Sequence, residues 1–224
     1  MLRRILLACG IAASALYVAI DVVAAIRYPG YHSFTSRALS ELMARGAPTE
    51  RLVDPPLLLY DVLMLAFAVG LSMSGRGKNV QVTAVSLIAY ATIGFLGPTL
   101  FEMDVRSAAG PTRADALHIA LTGVMVLLIL ASVVAGSTIG GRRFRRYSIA
   151  TLFVIIAFGA LTSLAARGAT PAETPWLGVV ERICVGGFLL WIAVLAISLL
   201  LPRGSTDRSA PAAPGLPSSP QPAR

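Results

Sequence analysis

His118 stands three residues after Asp115, in a chain that holds two histidines in all, and Thr122 follows four residues later. On a helix these positions share one face, so a carboxylate, an imidazole and a hydroxyl would project together. A carboxylate so placed can orient an imidazole as a general base or as a metal ligand. Asp115 also suits a plainer task, because an aspartate at a helix start satisfies free backbone amides. His118 is the stronger functional candidate of the two.

Other ionisable residues lie inside apolar segments: Asp21, Asp61, and the adjacent Glu181 and Arg182. Counted from the ends of their segments, these and the Asp115–His118 pair fall within roughly 10 Å of one mouth. Asp104 and Arg106 sit in a connection on that same side. Charges within membrane helices are costly and face a bundle interior or a wet cavity. A common polar chamber follows, with Asp21, His32, Glu41, Asp61, Arg106, Glu181 and Arg182 as ligand-binding candidates. The plainer alternative is internal pairing, since Asp61 or Asp21 with Arg182 would pin the helices together.

Catalytic candidates are His118, Asp104, Asp115 and Ser40. Ser40 and His118 could form a nucleophile–base pair only if the fold brings them together. No GxSxG elbow and no Gly-rich phosphate loop is present. The chain also has no HxxxH, HExxH or CxxC spacing, so no motif specifies a metal, a cofactor or an oligomeric state.

The elements that must position these residues follow from composition. Of 224 residues, 56% are hydrophobic and 13% charged, about half the charged share of a soluble domain, which is roughly 25%. That is the composition of an all-α, polytopic membrane protein. The formal charge of +8 comes from short basic runs between apolar segments, without aromatic interleaving, so nucleic acid is excluded as a partner. Six apolar runs, about 5–26, 56–73, 80–97, 114–136, 148–166 and 177–201, match the roughly 20 residues needed to cross a bilayer. Alternating ten-residue strand segments are absent, so the runs are helices. The first run could be a signal peptide, but it continues past twenty residues and carries Tyr17 and Asp21. Cys9 and Cys184 lie in apolar runs near opposite faces, which argues against a disulfide. Residues 1–201 form the membrane domain, and the Pro/Ser/Ala-rich stretch 202–224 is expected to be a disordered cytoplasmic tail.

Orientation follows from the Lys/Arg bias. With the N-terminus inside, eleven Lys or Arg residues fall on the cytoplasmic side, among them the run GRRFRRY, against seven on the other. Both termini are therefore expected in the cytoplasm, with the protein in the cell membrane.

The connection Tyr28–Thr49 is unusually rich. Phe34, Ala38, Leu39, Leu42 and Met43 recur at helical spacing opposite Ser33, Arg37, Ser40 and Glu41, and Gly46 is a natural terminator. A short amphipathic helix between helices 1 and 2 is expected. It is either an interfacial helix with an Arg37–Glu41 pair, or a roof that sets Ser40, Glu41 and His32 over the chamber.

The motifs YPGY followed by SRALSELMARGAPT, MDVR followed by TRADALH, and GVVERICVGGFLLW resemble the family catalogued as domain of unknown function 998. The resemblance runs from about Leu6 to Leu201. It implies a six-helix membrane protein and singles out Asp21, Pro29, Gly30, Ser40, Glu41, Gly46, Asp104, Arg106, Asp115, His118, Glu181 and Arg182, but it implies no activity. A broader likeness to alkaline ceramidases would imply a seven-helix zinc enzyme with three histidines. Two histidines and six spans exclude that site.

Three readings remain: a polar ligand or lipid-headgroup site at the outer mouth of the bundle, a membrane hydrolase acting on a lipid, and a structural or partner subunit whose charges pair internally.

Overall fold

The computed structural model describes residues 1–28, 34–100, 103–104, 112–167 and 176–201, without the side chains of 98–100. Among the described residues there are seven helices: α1 (Leu2–Arg27), α2 (Leu39–Leu42), α3 (Glu50–Ser72), α4 (Lys78–Leu100), α5 (Arg113–Gly136), α6 (Arg142–Arg167) and α7 (Leu177–Leu200). All but α2 are long and apolar enough to cross a bilayer. The protein is a multi-pass membrane protein with a helical bundle, and no strand occurs among the described residues.

Two helices extend well beyond their apolar runs. α3 starts at Glu50, six residues before the run does, and carries Pro55 and Pro56 inside it. Each proline removes one N–H from the ladder, so the carbonyls of Arg51 and Leu52 lose their intrahelical partners, yet the turn continues. α6 starts at Arg142 and takes in the basic run, where Phe144 is buried against the bundle. Arginine is a good helix former, so charge there sets where the bilayer ends and not where the helix ends.

The six long helices pack as a ring in chain order, α1–α3–α4–α5–α6–α7, and α7 closes back onto α1. Their up–down alternation puts Met1 and Leu200 at one end, here the terminal end, and α2 at the other, here the lid end. The terminal half is solid. Trp191, Phe67, Leu71, Leu87, Ile192 and Leu195 are fully buried there. Directional bonds fix the ring: Trp191 Nε1 donates to Ser148 Oγ at 2.9 Å, and Ser14 Oγ lies 2.9 Å from the Leu189 carbonyl. Bonds of this kind between membrane helices contribute about 1 kcal/mol each.

Toward the lid end the ring loosens on one side. The buried residues of α5 are Ser132, Val133 and Gly136, and those of α6 are Phe144, Ser148, Thr151 and Ile155, all in the terminal halves of the two helices. The α5–α6 seam is also the sparsest in the ring.

α2 is one turn long, shorter than the amphipathic spacing allows, and Phe34–Ser36 form a turn ahead of it. The carbonyls that would extend the helix are taken elsewhere. Those of Phe34 and Arg37 accept from Arg182, and that of Thr35 accepts from the Gly178 and Val179 amides. Ala38, Leu39 and Leu42 are buried beneath the segment, while Phe34 stays exposed.

Candidate functional site

Between the aromatic residues of mid-bundle and α2 lies a cavity of about 270 Å³. Every helix of the ring lines it, and Ser40 and Met43 of the α2 segment cover it. Tyr17, Tyr60, Tyr90 and Phe188 form an aromatic floor, with Tyr17 and Tyr60 edge to face at 4.8 Å and Tyr90 and Phe188 at 5.3 Å. The Tyr60 and Tyr90 hydroxyls lie 3.0 Å apart, so one donates to the other away from water. The α5 wall is Leu121, Met125, Val126 and Ile129, continuing below His118 and Thr122. The described lining includes three carboxylates, Asp54, Asp61 and Glu181, and neither Lys nor Arg.

Asp61 is 2% exposed and faces this cavity. Its carboxylate packs directly on the Cα of Gly94 across the α3–α4 interface, in space that any side chain at position 94 would fill. Among the described residues it has no hydrogen-bond or ion-pair partner. Because α3 begins at Glu50, Asp61 lies eleven residues into the helix, roughly 16 Å from its start.

Asp21, Glu181 and Arg182 build the attachment of the lid. Arg182 forks onto Asp21 of α1, Nε to Oδ2 at 2.9 Å and Nη2 to Oδ1 at 2.8 Å. Its Nη1 donates to the carbonyls of Phe34 at 2.9 Å and Arg37 at 2.8 Å, and the guanidinium sits 5.0 Å from the Phe34 ring centroid. Glu181 accepts from the amide of Leu39 and from the amide and hydroxyl of Ser40. The two helices therefore cap one another: Glu181 of α7 satisfies the first amides of α2, and the Thr35 carbonyl satisfies early amides of α7. Gly178 makes this approach possible, since a Cβ there would collide with the Arg37 and Phe34 carbonyl oxygens.

A second network ties the start of α5 to the same rim. Asp115 caps its own helix, with Oδ2 accepting from the Thr112 amide at 2.8 Å and the Asp115 amide donating to Thr112 Oγ1 at 3.2 Å. Asp115 Oδ1 also accepts from the Asp104 amide at 3.0 Å, and Asp104 Oδ2 accepts from Thr112 Oγ1 at 2.9 Å. Arg45 reaches this network from the lid, donating its amide to the Met103 carbonyl at 2.7 Å and placing Nη1 3.9 Å from Asp104 Oδ1.

Of the residues singled out from sequence, Ser40, Asp61, His118 and Glu181 line the cavity. Asp21 and Arg182 face each other, and Asp104 and Asp115 belong to the rim network. Glu41 is buried and turns its carboxylate back to the Ala38 amide at 3.3 Å. His32, Arg106, Pro29, Gly30 and the tail from Pro202 lie outside the described residues. Asp54, Tyr60, Tyr90 and Met103 were not singled out. Asp54 precedes Asp61 by seven residues, two turns on one face, a signal hidden by starting the helix at Pro56. Among the described residues no group of three or more His, Cys, Asp or Glu is arranged to hold a metal ion.

The family described as Protein of unknown function (DUF998) matches residues 11–198. No curated protein and no solved structure matches the chain.

Proposed function

The chain belongs to the DUF998 family, and on that premise we propose that the chamber beneath α2 is a binding site for a lipid headgroup or a small polar molecule. The supporting observation is Asp61, a carboxylate buried at bilayer depth and turned toward a cavity. A charge in that position is costly to keep without a partner, and a ligand group is what would balance it. Asp21, Arg182 and Glu181 hold the lid, while His118, Ser40 and Thr122 offer hydrogen bonds near its underside. The protein sits in the cell membrane with both termini cytoplasmic, so that the lid end faces outward.

The test is native mass spectrometry of the full chain released from nanodiscs, with the bound small molecules identified. Wild type retains a stoichiometric adduct, and a variant that fills the chamber, Ile129→Trp, loses it while keeping its fold. If wild type carries no adduct above the Ile129→Trp level, the site is not a binding site. Labelling of cysteines placed at Ser36 and Ser137 tests orientation, and labelling at position 137 from outside would reverse it.

Ser40 and His118 facing one cavity also supports a lipid-hydrolase reading. Turnover of a headgroup panel that falls at least about tenfold in His118→Ala would favour it. Equal turnover in the two proteins would remove it.

A further inference from the structure

We infer that the chamber takes an ammonium-bearing amphiphile, its cationic head beside Asp61 and its aliphatic chain leaving between α5 and α6. The inference rests on the binding-site reading above and names the class of ligand.

The head follows from charge. The described lining pairs carboxylates with aromatic rings and holds neither Lys nor Arg, so an anionic head would meet repulsion from three carboxylates with no permanent cation among the described lining residues to offset it. Asp54 and Asp61 stand seven residues apart on α3 and form an acidic track from the mouth to mid-bundle. At its inner end Asp61 has no partner among the described residues and lies 2% exposed next to the floor of Tyr17, Tyr60 and Tyr90. A carboxylate beside aromatic faces is the arrangement that recognises an ammonium, which gains an ion pair from one and cation–π attraction from the other. Glu181, whose carboxylate already holds Leu39 and Ser40, adds negative potential without being consumed by the ligand.

The chain follows from shape. About 270 Å³ falls just under the usual range for small-molecule pockets, roughly 300–1,000 Å³. The chamber thus admits a head and the start of a chain, and the remainder must leave it. The apolar strip Leu121, Met125 and Ile129 lines the chamber along α5. Beside it lies the sparsest seam of the ring, where α6 buries nothing beyond Ile155 toward the lid end. An aliphatic chain passing there enters lipid without crossing a polar surface.

The probes are decyltrimethylammonium, chain-matched decyl maltoside and decyl sulfate, and tetramethylammonium as the head alone. Binding is measured by calorimetry on the full chain in nanodiscs, with empty nanodiscs subtracted. The expected result is saturable binding of decyltrimethylammonium at least about tenfold tighter than of the two chain-matched probes or of tetramethylammonium. Asp61→Asn, a near-isosteric change, abolishes the preference for the cation while leaving decyl maltoside binding intact, and Asp54→Asn weakens it less. Equal affinity for the three decyl probes overturns the ammonium assignment while the binding site stands. Equal affinity of tetramethylammonium and decyltrimethylammonium overturns the exit through the seam. Absence of saturable binding by any probe, together with absence of a native adduct, overturns the site itself. Should Asp61→Asn not yield folded protein, Asp54→Asn with the wild-type probe ranking decides the head.

Discussion

Arg182 of α7 meets Asp21 of α1 through two parallel hydrogen bonds of 2.9 and 2.8 Å, and the same guanidinium holds two carbonyls of the segment that leads into α2. One side chain thus joins two helices of the ring to the lid. The pair is mostly buried, its side chains 17% and 15% exposed. Loss of one partner leaves the other charge stranded.

Arg182→Lys keeps the charge and loses the fork, because an ammonium cannot span both carboxylate oxygens and both carbonyls at once. Expected is a loss of about 3 kcal/mol, in the range for breaking a buried pair, read from chemical denaturation in detergent. Asp21→Asn should cost a similar amount, and the double variant should cost much less than the sum. Additive losses would show that the two groups do not act as a unit.

Gly178→Ala tests the lid without touching a charge. Its Cβ would strike the Phe34 and Arg37 carbonyls that Arg182 holds and come within 2.9 Å of Arg182 Nη1. The lid must shift by about 1 Å to restore an ordinary contact, or detach. Thiol labelling of a cysteine introduced at Ser40 should accelerate at least about tenfold in Gly178→Ala, the effect of about 1.4 kcal/mol on a closing equilibrium. An unchanged rate would mean that the lid does not gate access to position 40.

Much of this was legible in the sequence, and what was not has identifiable causes. The helical bundle follows from apolar runs whose length the bilayer dictates. Internal pairing of Arg182 was legible too, but the choice between Asp21 and Asp61 was not. That choice depends on α7 closing the ring onto α1, and ring closure leaves no trace in local spacing. Pro55 and Pro56 obscured the first turns of α3 and with them Asp54. The amphipathic spacing of residues 34–43 overstated α2, because the carbonyls needed to extend it are bonded to residues more than 140 positions away. The tyrosine floor was missed because Tyr60 and Tyr90 look like ordinary apolar-face residues until α3 and α4 are set side by side.

The contact of Asp61 with Gly94 gives a prediction specific to that carboxylate. Gly94→Ala puts a methyl group where Oδ1 lies, so Asp61 must leave its rotamer or the α3–α4 interface must open. Overpacking of this kind costs roughly 1–3 kcal/mol. In an Asp61→Ala background the space is vacant, and Gly94→Ala should then be close to neutral. Stability measured for the four proteins as a cycle should give a coupling of at least about 1 kcal/mol. A coupling near zero would mean that Asp61 does not occupy the space over Gly94.

The terminal half of the ring has its own single point of failure. Trp191 is fully buried, and its indole N–H reaches the hydroxyl of Ser148, also fully buried, at 2.9 Å. This bond joins α7 to α6, a helix whose buried residues lie only in its terminal half. Trp191→Phe leaves the hydroxyl without its donor and opens a void, whereas Ser148→Ala strands the indole N–H. Each should cost about 1–3 kcal/mol, the penalty for an unsatisfied buried polar group. In Trp191→Phe the void adds to it. The double variant removes both polar atoms and should recover part of that loss relative to Trp191→Phe alone. Because the chamber lies on the other side of Phe188, binding measured at saturating ligand should be unaffected in all three folded variants. A loss of binding that tracked the loss of stability would instead mean that the floor and the chamber open together.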